Sequence, residues 1–357
     1  MAHMFVPGPV DVAPEVLQAM AKPLLPHRSK EYETIHRSAA EKSQKLFFTD
    51  NRVLIGTHTG SGMQEAGVRN LAQQDILVCV NGAFSQRWFN VAESNGKNPV
   101  RMDIEWGKPI PPDALRNALK DKDFEAVAIV HNETSTGVEN PLKELCAVVK
   151  ETSPDTLILV DAVSSLGGAK IETDAWGVDF LLTSSQKCLA LPPGLSLVSV
   201  SDRALEKAKT VANRGWYFDL LIMEKHRIKN STAMTPAVSL VYALDFQMDR
   251  ILDEGIEERF DRHQAMSQRV YDWSLENGMS PFASKDARSK TVATIKNERD
   301  IDIADLNAYL MQKYQMRIAN GYGDLKGKTF RIATMGETSM ADVEALLAAM
   351  EEYLNKK

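Results

Sequence analysis

Lys187 lies in the segment Phe180–Ala190, FLLTSSQKCLA, where an apolar run meets a small polar cluster. Phe180-Leu181-Leu182 reads as a buried strand, stopped by Thr183-Ser184-Ser185 and followed by Gln186 and the lysine. An amine at the end of a buried strand is poorly hydrated, which lowers its pKa. A less protonated amine is a nucleophile able to form a Schiff base. The plainer alternative is a lysine that simply reaches the surface. Asp161 poses a similar choice. It follows the apolar run Thr156–Val160, so its carboxylate either needs a cationic partner or caps the next turn. A third feature is Gly56–Met63, GTHTGSGM, between the strand Arg52–Ile55 and the helical QEAGVRNLA. Strand, glycine-rich turn and helix start together can cup a phosphate with unpaired N–H groups. The turn has neither a Walker lysine nor GxGxxG spacing, so an ordinary strand-to-helix turn stays open.

Other candidates share this placement. Phe84 follows the strand Ile76–Val80 and is either core or a stacking plate. Thr134 sits in His131–Gly137, HNETSTG, after the strand Glu125–Val130. There His131 and Glu133 either form an acid/base pair or cap the turn. His27-Arg28 precede a long helical pattern and either hold an anion or are solvated. Pro7-Gly8-Pro9 cannot be helix interior; it is a linker or a segment laid across a site, with Gly8 permitting close backbone approach.

The elements that must position these residues alternate. From about residue 50 to 200, short continuous apolar strands take turns with helices, the pattern of a mostly parallel sheet covered on both faces. From 203 to 285 the pattern is helical, with a long stretch through 249–277 and a polar interruption at 230–236. The last part alternates again: strands at 291–295 and 329–333, helices at 303–314 and 340–354. The expected division is an N-terminal segment (1–14) near the active site, a large α/β unit (15–250) and a small C-terminal α+β unit (251–357).

Composition narrows the function classes. The 357 residues are 44% hydrophobic and 25% charged, with a net charge of −6 and no long basic run, which argues against a nucleic-acid partner. Cys79, Cys146 and Cys188 lack CxxC spacing, so neither a disulfide framework nor a metal site is expected; the default is a reducing cytoplasm. No membrane span or signal peptide is expected. Met1-Ala2-His3 precede Met4, which makes Met4 the expected natural start.

In a doubly wound sheet the strand ends face one crevice. An anion cradle, an aromatic plate, a hydroxyl, a carboxylate and an amine meet the needs of pyridoxal phosphate: aldehyde to lysine, phosphate to helix start, ring nitrogen to carboxylate. The chain also resembles the class V aminotransferases of fold type I, closest to the alanine–glyoxylate/serine–pyruvate group. The resemblance runs through PGP at 7–9, TGSGMQEA at 59–66, NGAFSQR at 81–87, NETSTGV at 132–138, VDAVSSLGG at 160–168, SSQKCLALPPG at 184–194, TPAVSLVYAL at 235–244 and FRIATMG at 330–336. It implies an α/β fold type I transferase and transamination between a small amino acid, alanine or serine, and glyoxylate or pyruvate. By the same resemblance Lys187 forms the Schiff base and moves the proton, Asp161 pairs with the ring nitrogen and Phe84 stacks on the ring. Thr134 serves the ring hydroxyl side, and Ser61, Gly62, Met63 and Gln186 hold the phosphate. Thr232 and Thr235 reach the partner subunit's phosphate in a homodimer, Arg331 clamps the substrate carboxylate, and Gly8 lies at the substrate. HRSKEY at 27–32 also resembles phosphoserine aminotransferase, where a His-Arg pair binds the substrate phosphate. Phosphoserine with 2-oxoglutarate, or broad-specificity aspartate transamination, is therefore the alternative. Desulfurase chemistry needs a cysteine on a mobile loop, and all three here lie in or beside apolar runs.

Overall fold

The computed structural model describes residues 3–356. Met1 and Ala2, two of the three residues before the expected start at Met4, lie outside the described residues, as does Lys357. In chain order the strands are β1 (His3–Phe5), β2 (Arg52–Gly56), β3 (Asp75–Val80), β4 (Asn98–Asp103), β5 (Ala126–Val130), β6 (Asn132–Glu133), β7 (Val138–Glu139), β8 (Leu157–Asp161), β9 (Phe180–Ser184), β10 (Ser196–Val200), β11 (Val292–Lys296), β12 (Met316–Asn320) and β13 (Thr329–Ala333). The main sheet has the order β2-β10-β9-β8-β5-β3-β4. Its contacts from β9 to β4 are parallel, and β10 runs antiparallel to both β9 and β2. One strand is therefore reversed, and the ends of β2, β3, β5, β8 and β9 emerge along one edge.

Alternation along each buried strand divides the core into two layers. Leu77, Cys79, Val127, Ile129, Ile158, Val160 and Leu181 pack on the side of helices Lys30–Phe47, Leu142–Thr152 and Val238–Glu254. Ile76, Val78, Val80, Ala128, Val130, Leu159, Phe180 and Leu182 pack on the opposite side, with helix Gly60–Leu71 and Trp88 of helix Ala83–Ser94. Strands covered on both faces have no polar side to show, which is why they read as continuous apolar runs.

A four-stranded sheet, β1-β12-β13-β11, joins the two ends of the chain. It packs through Ile295, Ile318, Phe330 and Ile332 against Trp273, Leu346 and Met350. Two of its strands were not expected. β1 pairs with β12 in parallel although they lie at opposite ends of the sequence. β12 itself is only partly buried. β4 also escaped the sequence reading. It is an edge strand of exposed and half-buried residues that carries Pro99, so it lacks an apolar run. The long helical stretch breaks at Gly255 (φ +89°) into helices Val238–Glu254 and Ile256–Glu276.

Candidate active site

The strand ends line a cavity of about 270 Å³. Lys187, Asp161, Gln186, Thr134, Phe84 and Ser61 all border it, so six of the expected residues come together from four separate strand ends and one helix start. Asp161 is the last residue of β8. Its two oxygens are both held: Oδ1 accepts the Val163 N–H at 2.8 Å and Oδ2 accepts from Gln64 Nε2 at 2.7 Å. Burial pushes its carboxyl up to about 6 despite those bonds, and the nearby Glu133 adds to the rise.

Lys187 follows β9 and is also buried. Burial first, and the Arg331 guanidinium second, push its amine down to about 8. Nζ donates to the Pro7 carbonyl. The N-terminal segment thus lies across the lysine, and Val10 N–H fixes it to the Gln186 carbonyl at 3.2 Å. Gly8 has φ +85°, and a Cβ there would come within 2.7 Å of Lys187 Cδ and 2.9 Å of Cε. The close approach expected of Gly8 is an approach to the lysine side chain itself.

The turn before helix Gly60–Leu71 has Thr59 as its cap. The Thr59 carbonyl takes the N–H groups of Gly62 at 3.0 Å and Met63 at 3.4 Å. The Met63 side chain is fully buried in the core. Gly62 and Met63 therefore spend their N–H groups inside the helix, and among the residues bordering the cavity the helix start offers Thr59, Gly60 and Ser61. Gly60 is needed there, since a Cβ would fall 2.7 Å from Val163 Cγ2.

Phe84 borders the cavity and stacks on Tyr322, with ring centroids 5.2 Å apart and planes at 25°. Arg87 sits over the Phe84 ring at 4.8 Å and donates to Tyr322 Oη at 3.1 Å and Ser61 Oγ at 3.3 Å. Thr134 Oγ1 is hydrogen-bonded to Ser164 Oγ. Arg331 lies on β13, an inner strand of the small sheet, and is buried. It donates Nε to the Asn320 carbonyl at 3.1 Å and Nη1 to the Thr134 carbonyl at 3.5 Å. Burial lowers its pKa to about 10.

Four expected residues stand elsewhere in this chain. Thr232 and Thr235 border a separate small cavity with His36, His58 and Arg227. His27 and Arg28 lie in the turn before helix Lys30–Phe47, where the His27 carbonyl accepts from Ser231 Oγ at 3.3 Å. Nor do His131 and Glu133 form an acid/base pair. The His131 ring bonds Ser165 Oγ through Nδ1 at 2.8 Å, and burial pushes its pKa down to about 4. Sequence reasoning missed Gln64, Arg87, Ser164, Ser184 and Tyr322. Gln64 was within reach, as a polar residue one turn into an otherwise small and apolar helix start.

The donor set fits pyridoxal phosphate. Ser184 Oγ borders the cavity, is buried, and has no hydrogen-bond partner among the described residues. On a cavity wall, a buried polar atom without a partner is free to bond a ligand group. A carboxylate held at one wall, an amine driven toward its neutral form, and free N–H groups at a helix start match the three poles of that cofactor.

Known proteins point the same way. The family described as aminotransferase class-V matches residues 11–346. The chain is 39% identical to an uncharacterised aminotransferase of Methanocaldococcus jannaschii, over 99% of this chain and 92% of that one. It is 31% identical to the L-aspartate–glyoxylate aminotransferase of Paracoccus denitrificans, over 96% and 88%. The crystal structure of an alanine–glyoxylate aminotransferase from Nostoc sp. superimposes with a TM-score of 0.93 at 30% identity, covering 99% of this chain and 95% of that one. Because the match spans nearly every residue, including all of those around the cavity, the chain belongs to the class V aminotransferases and is a transaminase that works with pyridoxal phosphate.

Proposed function

We propose that this transaminase takes the amino group of a small amino acid, alanine or serine, and delivers it to glyoxylate or pyruvate in two alternating half-reactions. The observation that carries the reading is the shared cavity of Lys187 and Asp161, with the Arg331 guanidinium close by. When bound, the cofactor supplies the electron sink that stabilises a carbanion at the substrate Cα. The protein does the rest. Lys187 takes and returns the Cα proton, a task suited to an amine held near 8 rather than above 10. Asp161 holds a positive charge on the ring nitrogen, which compensates its buried carboxylate. Arg331 receives the substrate carboxylate as a planar two-point donor, oriented by the carbonyls of Asn320 and Thr134. The N-terminal strap at Pro7–Pro9 keeps water from the lysine. The small-donor reading also draws on the glyoxylate enzymes to which the chain is similar. Phosphoserine is less favoured because the similarity drawn on is to glyoxylate enzymes; His27 and Arg28 lie beside Ser231, away from this chain's own Lys187 cavity.

The reading includes a cytoplasmic homodimer. Its supports are three free, buried cysteines and the exposed apolar side chains Trp216 and Ile228 in the stretch that carries Thr232 and Thr235. It also includes the division at 14 and 250, supported by the backbone break at Gly255. Half-reactions test the substrate. Alanine, serine, aspartate, glutamate and phosphoserine are each mixed with the holoenzyme, and loss of the cofactor's visible absorption is followed. Alanine or serine reacting fastest is the expected result; a clear preference for phosphoserine overturns the assignment.

A further inference from the structure

We propose that Glu133 is the positioning residue that fixes the aromatic plate Phe84 against the cofactor. Glu133 is fully buried, and its carboxyl group accepts from the start of helix Ala83–Ser94 and from Ser135 in its own turn. Oε1 accepts the Phe84 N–H at 3.2 Å, and Oε2 accepts the Ser85 N–H at 2.9 Å and Ser85 Oγ at 2.9 Å. Oε1 also accepts Ser135 Oγ at 2.6 Å, and Ser135 Oγ in turn accepts the Ala83 N–H at 3.0 Å. The first intrahelical bond follows at once, from Gln86 N–H to the Gly82 carbonyl at 3.0 Å. The first three N–H groups of this helix are therefore all satisfied by the 133–135 turn, and a carboxyl group sits at the positive end of the helix dipole.

Two further observations show that this contact is built for position. Gly82 precedes the helix, and a Cβ there would fall 2.3 Å from Glu133 Cγ and 2.6 Å from Ser135 Oγ. Only a residue without a side chain lets the carboxylate reach the helix. The neighbouring residue Thr134 faces the opposite way: it borders the cavity, and its carbonyl accepts from Arg331. One short turn thus ties the backbone of the plate to the residues of the cofactor and substrate carboxylate. An uncapped helix would fray in its first turn, where Phe84 sits.

Electrostatics alone argue for the opposite outcome, which makes the test diagnostic. Glu133 raises the pKa of Asp161. Removing its charge eases ionisation of Asp161, which by itself would tighten the hold on a protonated ring nitrogen. Weaker cofactor binding in Glu133→Gln is therefore a sign of lost position. The inference rests on pyridoxal phosphate occupying the Lys187 cavity.

The test is a double-mutant cycle on cofactor affinity, measured by titrating apoprotein with pyridoxal phosphate. Glu133→Gln is expected to raise the Kd about tenfold, as befits loss of a charged acceptor. Glu133→Asp recovers part of this. Gly82→Ala, which pushes the carboxylate away sterically, reproduces it. In a Phe84→Ala background, Glu133→Gln adds little, because the residue acts through the ring. Visible circular dichroism of the bound cofactor shifts alike in Glu133→Gln and Phe84→Ala. Fully additive effects, or an unchanged Kd in folded Glu133→Gln, overturn the proposal. If Glu133→Gln does not fold, the Glu133→Asp and Gly82→Ala arms of the same cycle decide between these results. Wild-type protein that fails to bind pyridoxal phosphate sinks the functional reading instead, so the two failures are distinct.

Discussion

Two regions of this molecule are expected to serve the same cofactor, yet they differ in how far a single chain completes them. The strand-end cavity holds its reacting groups from within one chain: Asp161 has two donors, Lys187 lies under its strap, and Arg331 is aimed by two carbonyls. The corner at 214–236 is open. Trp216 and Ile228 are 65% and 66% exposed, and nearby Leu24 is 70% exposed. Thr232 Oγ1 donates only to the Met234 carbonyl, 2.6 Å away and two residues on. A sheet edge fixes side chains by ladder geometry. A loop flanked by exposed apolar surface waits for something to cover it. In the homodimer proposed above, the second copy provides that cover and the loop reaches the other copy's cavity.

The largest effect should come from the strand-end region. Lys187→Ala lowers turnover by more than about 10⁴-fold and removes the absorption of cofactor bound to the lysine, as checked by single-turnover spectroscopy. Asp161→Asn follows, lowering kcat on the order of 10²-fold. Its apoprotein also reports on burial. The folded Asp161 titrates at about 6 against an ordinary 3.8, so the folded state binds the extra proton between those values. Stability from this group is full below 3.8 and is lost as pH rises through about 6. The difference in denaturant midpoint between wild type and Asp161→Asn should therefore show that decline, and added cofactor should flatten it. Charging the open corner gives an intermediate effect. Ile228→Glu weakens self-association by about 1.5–3 kcal/mol in sedimentation equilibrium, with a matching loss of cofactor affinity. A monomeric wild type, or a corner variant with undiminished association, would erase the contrast between the regions. Smallest of all, Arg28→Ala shifts the stability of the chain by no more than about 0.5 kcal/mol in chemical denaturation.

The strands of the main sheet that carry the site were legible because both their faces are buried, and a doubly buried strand can only be written as an apolar run. Asp161 and Lys187 were legible for the same reason: a charge directly after such a run, or one short polar cluster beyond it, stands out. β4 and β12 were not, since an edge strand and a half-buried one are free to carry Pro99, Arg101 or Arg317. Glu133 was visible only as one polar residue among several. Its use depends on the start of a helix 50 residues earlier being brought against it by the β3–β5 pairing.

By itself the sequence settled the alternation of strand and helix, the polar residues at the strand ends, and hence the kind of ligand those ends can serve. These are local properties, written in hydrophobic pattern and residue type. Tertiary structure alone decided that Pro7 and Gly8 lie on Lys187 and that Arg331 turns inward beside Thr134. Such facts depend on which distant segments meet, and chain topology and packing fix those meetings where no local pattern can record them.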